Sequence, residues 1–160
     1  MTTLPGFATR LRQVFGEFGH LCVGIDPHPF LLKAWGYDDS IASLKEFSLR
    51  CLDASVDQVG LIKPQVAFYE RYGSAGFAVL EDLIRRARSA GLQVISDAKR
   101  GDIGTTMDAY TATWLGAGSP LESDAVTVSP YLGVGALQSA FTTADANGKG
   151  VFVLAATSNP

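Results

Sequence analysis

Five short runs of the chain are nearly continuous in Val, Ile and Leu: Leu21–Ile25, Val59–Lys63, Gln93–Ala98, Ala125–Val128 and Val151–Leu154. Runs of that length and composition predict parallel strands buried on both faces. Between them the spacing of apolar positions changes to three and four. Ser40–Gln58 places Ile41, Leu44, Ser48, Cys51 and Leu52 at mostly three- and four-residue spacing, with Val59 just beyond, behind the capping cluster Asp38-Asp39-Ser40. A second helix carries Phe77, Leu80, Ile84 and Ala87, with Ser74 as its expected N-cap and Gly91 placed to stop it. Further helices are predicted from Thr105 or Thr106 to about Leu115, from Val134 to Ala146, and at Phe7–Phe18 before the first strand.

Strand and helix alternate throughout, which predicts an α/β fold with a parallel sheet and right-handed crossovers. Two architectures remain open. Five strands could complete a doubly wound sheet, whereas a (β/α)8 barrel needs eight strands and about 250 residues. In both, ligands bind at the C-terminal ends of the strands, and here those ends are polar. The first strand runs into Asp26, the second into Lys63-Pro64-Gln65, the third into Asp97-Ala98-Lys99-Arg100-Gly101-Asp102, and the fifth into Thr157-Ser158-Asn159.

Asp97 and Lys99 lie two apart on a strand, so they are expected on one face. A lysine between carboxylates is held as the ammonium and can serve as a positioned general acid. Lys63 on the adjacent strand extends this to an expected Lys63–Asp97–Lys99–Asp102 array. Taken alone, Asp-x-Lys-x-x-Asp also describes a solvated salt-bridge loop. Charged residues ending three apolar strands point instead to a shared site.

Composition narrows the function classes. The 160 residues are 47% apolar with a net charge of −3, which argues against a nucleic-acid surface. No apolar run approaches the ~20 residues that cross a bilayer, and the N-terminus lacks the layout of a signal peptide. Cys22 and Cys51 have no CxxC partner and read as small buried hydrophobes in a reducing, cytoplasmic setting. His20 and His28 do not make a metal site. Trp35 and Trp114 are expected to pack outside the sheet, and Arg85, Arg86 and Arg88 to form a solvated helix face. Ser129 and Tyr131 are expected beside the site rather than in it.

The segment Val94–Met107, VISDAKRGDIGTTM, closely resembles the signature of the orotidine 5'-phosphate decarboxylases. The matching residues are Asp97, Lys99, Asp102, Ile103, Gly104 and Thr106. VGIDP at Val23–Pro27 and LIKPQ at Leu61–Gln65 agree with it. With SPYLG at Ser129–Gly133 and ATSNP at Ala156–Pro160, the wording is similar to the longer bacterial branch of that family.

The resemblance implies a (β/α)8 barrel working as a homodimer. Orotidine 5'-phosphate would be its small-molecule substrate, converted without metal or organic cofactor to uridine 5'-phosphate and carbon dioxide. Residues 1–160 would then form a single domain, the N-terminal five strands of the barrel, incomplete as given. The phosphate-gripping loops would belong to the remainder. Lys99 resembles the lysine that protonates C6, Asp97 the carboxylate beside the substrate carboxylate, and Lys63 the lysine touching the ribose. Asp26 resembles the ribose-hydroxyl acceptor and Ser158 the pyrimidine-contacting serine. Asp102 and Thr106 resemble residues that reach the partner subunit's site. Two alternatives stand beside this: a magnesium-dependent sugar-phosphate decarboxylase or aldolase of the same barrel, and an inactive fragment serving as a scaffold. Lys63, where the magnesium enzymes typically place a glutamate, disfavours a divalent cation by repulsion.

Overall fold

The structure, a computed structural model, describes residues 5–157. The apolar runs form five strands, β1 (Val23–Ile25), β2 (Leu61–Pro64), β3 (Gln93–Arg100), β4 (Ala125–Val128) and β5 (Gly150–Val153). Helix α1 (Phe7–Phe18) precedes them. The larger crossover helices are α3 (Ile41–Ser55), α5 (Gly73–Ser89), α6 (Gly104–Leu115) and α7 (Gln138–Ala146). Two short helices, α2 (Pro29–Ala34) and α4 (Ala67–Glu70), were not predicted, because they are too brief to show a periodic stripe.

The helix ends follow local chemistry. Ser40 caps α3 by accepting the Ser43 N–H at 3.2 Å, while its own hydroxyl donates to Asp38 at 2.7 Å. Gly91 takes φ +88° and ends α5 as predicted. Ser74 is not the cap of that helix. The helix begins one residue earlier, at Gly73, behind Tyr72, and Ser74 lies inside its first turn. The segment predicted as one helix from Val134 splits into a 3-10 turn, Val134–Leu137, followed by α7.

The strands pair in parallel in the order β1-β2-β3-β4-β5. A doubly wound sheet reverses direction at a switch point, whereas an unreversed sequential order belongs to a barrel wall. The pleat sends alternate residues to the two faces. Ile25, Ile62, Val94, Val126 and Val128 point outward into the main core, with Leu44, Leu80, Leu83 and Leu115 of the helices. Trp114 is buried in this outer layer, whereas Trp35 is half-exposed and packs on Phe47.

The inner face is divided along its height. At the N-terminal end, Leu61, Ile95 and Ala125 meet Phe7 and Leu11, so α1 plugs the bottom of the sheet. Gly150 permits this approach, since a Cβ there would lie 2.4 Å from the Phe7 ring. Towards the C-terminal end, the same face turns polar at Lys63, Gln65, Asp97 and Thr127.

Candidate active site

The parallel register sets the polar row. Gln65 bridges to Asp97, and the ladder between β3 and β4, continued from Ile95 opposite Ala125, brings Thr127 alongside Asp97. Asp97 is buried, and its carboxylate accepts four hydrogen bonds. Lys63 Nζ and Gln65 Nε2 each donate to Oδ2 at 3.0 Å. Lys99 Nζ donates to Oδ1 at 2.5 Å, and Thr127 Oγ1 donates to the same oxygen at 2.9 Å. Burial pushes the Asp97 carboxyl up, but the bonds from Lys99, Lys63 and Thr127 and the charge of Lys63 outweigh it. The group is held below the ordinary carboxylate range.

Lys99 reaches this position through irregular backbone. Ser96 pairs with Val126 and Arg100 with Val128, so Asp97, Ala98 and Lys99 stand opposite Thr127 alone. Lys99 takes φ +49°, in the left-handed region that costs a non-glycine residue about 1–3 kcal/mol. Bulges of this kind re-aim side chains next to functional sites. Lys99 is 46% exposed while Asp97 is 9% exposed, so the ammonium is tethered from beneath and open above. The bulge also changes the reason for the Asp97–Lys99 contact. It is not a regular two-residue repeat on one face.

Asp26 follows β1 at the same level of the sheet. Its Oδ1 is buried, and no described residue donates to it. A buried carboxylate oxygen left this way carries a cost that a bound hydroxyl would relieve.

Asp102 does not join the network within this chain. It lies half-buried on the exit loop, where Oδ1 accepts the N–H of Ile103 at 2.7 Å. The expected Lys–Asp–Lys–Asp array is therefore Lys63–Asp97–Lys99 here, extended sideways by Gln65 and Thr127. Thr106 is exposed on the first turn of α6. Ser158 lies outside the described residues.

The sequence pattern does not single out Gln65 and Thr127 as site residues. The available signal was weak: a hydroxyl in the otherwise apolar strand Ala125–Val128, and an amide just past the Lys63-Pro64 strand end. Ser129 is half-buried and Tyr131 exposed on the neighbouring loop. Arg88 departs from the expected solvated face. Arg85 and Arg86 do pair with Asp82 at the surface, but Arg88 turns inward to Glu122 at 2.8 Å. His20 packs against Phe15 and His28 against Phe68, both with tilted rings. Cys22 and Cys51 are free and half-buried rather than fully buried, with burial raising both thiols.

Residues 19–160 match the Orotidine 5'-phosphate decarboxylase / HUMPS family. The chain belongs to that family. It is 60% identical over 158 residues to the orotidine 5'-phosphate decarboxylase of Corynebacterium efficiens, covering 94% of this chain and 56% of that protein. The Salinispora tropica orotidine 5'-phosphate decarboxylase is 57% identical over 157 residues, with 98% of this chain and 56% of the relative covered. The chain thus spans little more than half the length of the curated relatives it matches. Among solved structures, a Streptomyces avermitilis protein provisionally assigned as this decarboxylase superposes with a TM-score of 0.97 at 52% identity. That match covers 99% of this chain and 56% of the other. Leishmania donovani UMP synthase gives a TM-score of 0.80 at 35% identity, with 98% of this chain and 31% of the other covered. These family neighbours are (β/α)8 barrels, and the five strands described here make up part of one.

Proposed function

We propose that this chain carries the lysine–aspartate centre of an orotidine 5'-phosphate decarboxylase, which forms uridine 5'-phosphate and carbon dioxide in de novo pyrimidine biosynthesis. The observation that carries the reading is a single buried carboxylate, Asp97, binding two ammonium groups at the C-terminal end of the sheet, with Lys99 left accessible. Breaking the bond between C6 and its carboxylate leaves an electron pair on C6. A fixed ammonium stabilises that charge as it develops and then donates its proton to C6. Asp97 keeps Lys99 oriented, and Lys63 offsets the buried negative charge. Asp26, whose buried Oδ1 has no partner among the described residues, suits a ribose hydroxyl.

The same reading assigns Asp102 and Thr106 to the partner's site in a homodimer. Ile103, Tyr131, Leu132 and Val134 leave large apolar side chains exposed on the two loops beside them. Such a cluster suits a subunit contact. A cytoplasmic location suits the two free thiols. No described helix is long and apolar enough to cross a membrane.

The magnesium-dependent reading is disfavoured by the ion pairs themselves, because a divalent cation at Asp97 would face Lys63 and Lys99 at hydrogen-bond range. Turnover of orotidine 5'-phosphate by the full-length protein tests the proposal. Lys99→Ala should lose nearly all activity, and EDTA should leave the wild type unaffected. Loss of turnover in EDTA with recovery on adding magnesium would transfer the assignment to the metal-dependent relatives.

A further inference from the structure

We infer that Thr127 is a positioning residue of this site, joining the backbone of Lys99 to the carboxylate of Asp97 through one hydroxyl; the inference rests on the decarboxylase reading. A threonine hydroxyl has one proton to donate and lone pairs to accept with. Both capacities are used. Thr127 Oγ1 donates to Asp97 Oδ1 at 2.9 Å and accepts the Lys99 backbone N–H at 2.9 Å.

The second bond explains how the bulge is held. Between the pairs Ser96–Val126 and Arg100–Val128, three residues of β3 face one residue of β4. A regular ladder cannot continue there, and the Lys99 N–H turns to the Thr127 side chain instead of a strand carbonyl. Thr127 is itself buried on the inner face, with only 8% exposed. Lys99 Nζ then returns to the same Asp97 oxygen that Thr127 binds. One hydroxyl therefore closes a loop of three contacts, from Lys99 N through Thr127 to Asp97 Oδ1 and back to Lys99 Nζ. It fixes both ends of the side chain whose ammonium must lie beside the reacting carbon. Valine, nearly isosteric, fills the space but performs neither bond. Serine performs both.

Thr127→Val and Thr127→Ser in the full-length protein test this through steady-state kinetics and amide hydrogen exchange at Lys99. In Thr127→Val, kcat should fall on the order of 10- to 100-fold, the range set by losing a hydrogen bond to a charged group. KM should stay within about two-fold, because the loss acts on the transition state rather than on binding. Thr127→Ser should restore most of kcat. Exchange at Lys99 should quicken in the valine variant and not in the serine variant, a readout that needs no turnover.

Equal losses in the valine and serine variants would assign the effect to the methyl group and overturn the inference. So would a rise in KM with kcat unchanged, or Lys99 exchange that is the same in all three proteins. If Thr127→Val does not fold, Thr127→Ala takes its place against Thr127→Ser with the same expectations. A wild type without decarboxylase activity would defeat the functional reading alone, and the exchange measurement would still decide the role of Thr127.

Discussion

Replacing Glu122 by Gln should destabilise the protein by about 2 kcal/mol at pH 7, and the size follows from what surrounds the carboxylate. Glu122 precedes β4 at the N-terminal side of the sheet, opposite the candidate site. Its Oε1 accepts from Lys149 Nζ at 2.7 Å and from Arg88 Nη2 at 2.8 Å, and its Oε2 accepts the Gly118 N–H at 2.8 Å. The Lys149 side chain is only 4% exposed. Burial pushes Glu122 up, but the bonds from Lys149, Gly118 and Arg88 and the charge of Lys149 bring it from an ordinary 4.5 to about 2. At ~1.4 kcal/mol per pH unit, and discounted for the solvent that screens a partly open ion pair, that difference is worth about 2 kcal/mol to the folded state. Glutamine removes the charge and leaves the buried Lys149 ammonium with a neutral partner, which costs several kcal/mol for an uncompensated ion.

The sign with pH is fixed. The folded state holds Glu122 ionised more firmly than the unfolded chain does. Its contribution is therefore complete above about pH 4.5 and disappears as pH falls towards about 2. Urea unfolding of wild type and Glu122→Gln across pH 7 to 2 measures it. The two stability curves should lie apart at pH 7 and converge in acid. The double variant Glu122→Gln/Lys149→Met should regain part of the loss, because the stranded ammonium goes with it. Curves that run parallel down to pH 2, or a single variant as stable as wild type at pH 7, would refute the argument.

Two further outcomes concern assembly. On the proposed homodimer with Asp102 serving the partner's site, subunit exchange between inactive full-length Lys99→Ala and Asp102→Ala should restore up to about a quarter of wild-type activity, since half the dimers would mix and each would carry one complete site. Mixed dimers verified by mass spectrometry that stay inactive would return Asp102 to its own subunit. The 160-residue chain produced alone should aggregate or fold only partly and bind no nucleotide, because β1 and β5 each pair on one side and Phe152 leaves 40% of its surface exposed on the inner face. A monodisperse monomer that unfolds cooperatively would contradict this.

The sequence by itself determined the five strands, the longer helices and the chemistry of the strand ends. Strands buried on both faces must be apolar along their length, and the apolar run Ala125–Val128 coincides with β4 to the residue. The Ser40 cap and the Gly91 stop rest on contacts within a few residues, which local spacing encodes. Lys63, Asp97 and Lys99 stood out because charge at the end of an apolar run is visible without any partner. Only the tertiary structure decided what those charges touch. Strand order separated the barrel wall from the doubly wound sheet, and order is a property of pairing between distant segments. Gln65 and Thr127 reach Asp97 through register across neighbouring strands, 32 and 30 residues away in sequence, so no window of local pattern contains the contact. The bulge that turns Lys99 arises because three residues of β3 must face one of β4, a mismatch that exists only once the two strands are side by side. Arg88, on a helix face that reads as solvated, turned inward for the same reason: the carboxylate it meets is 34 residues further along the chain.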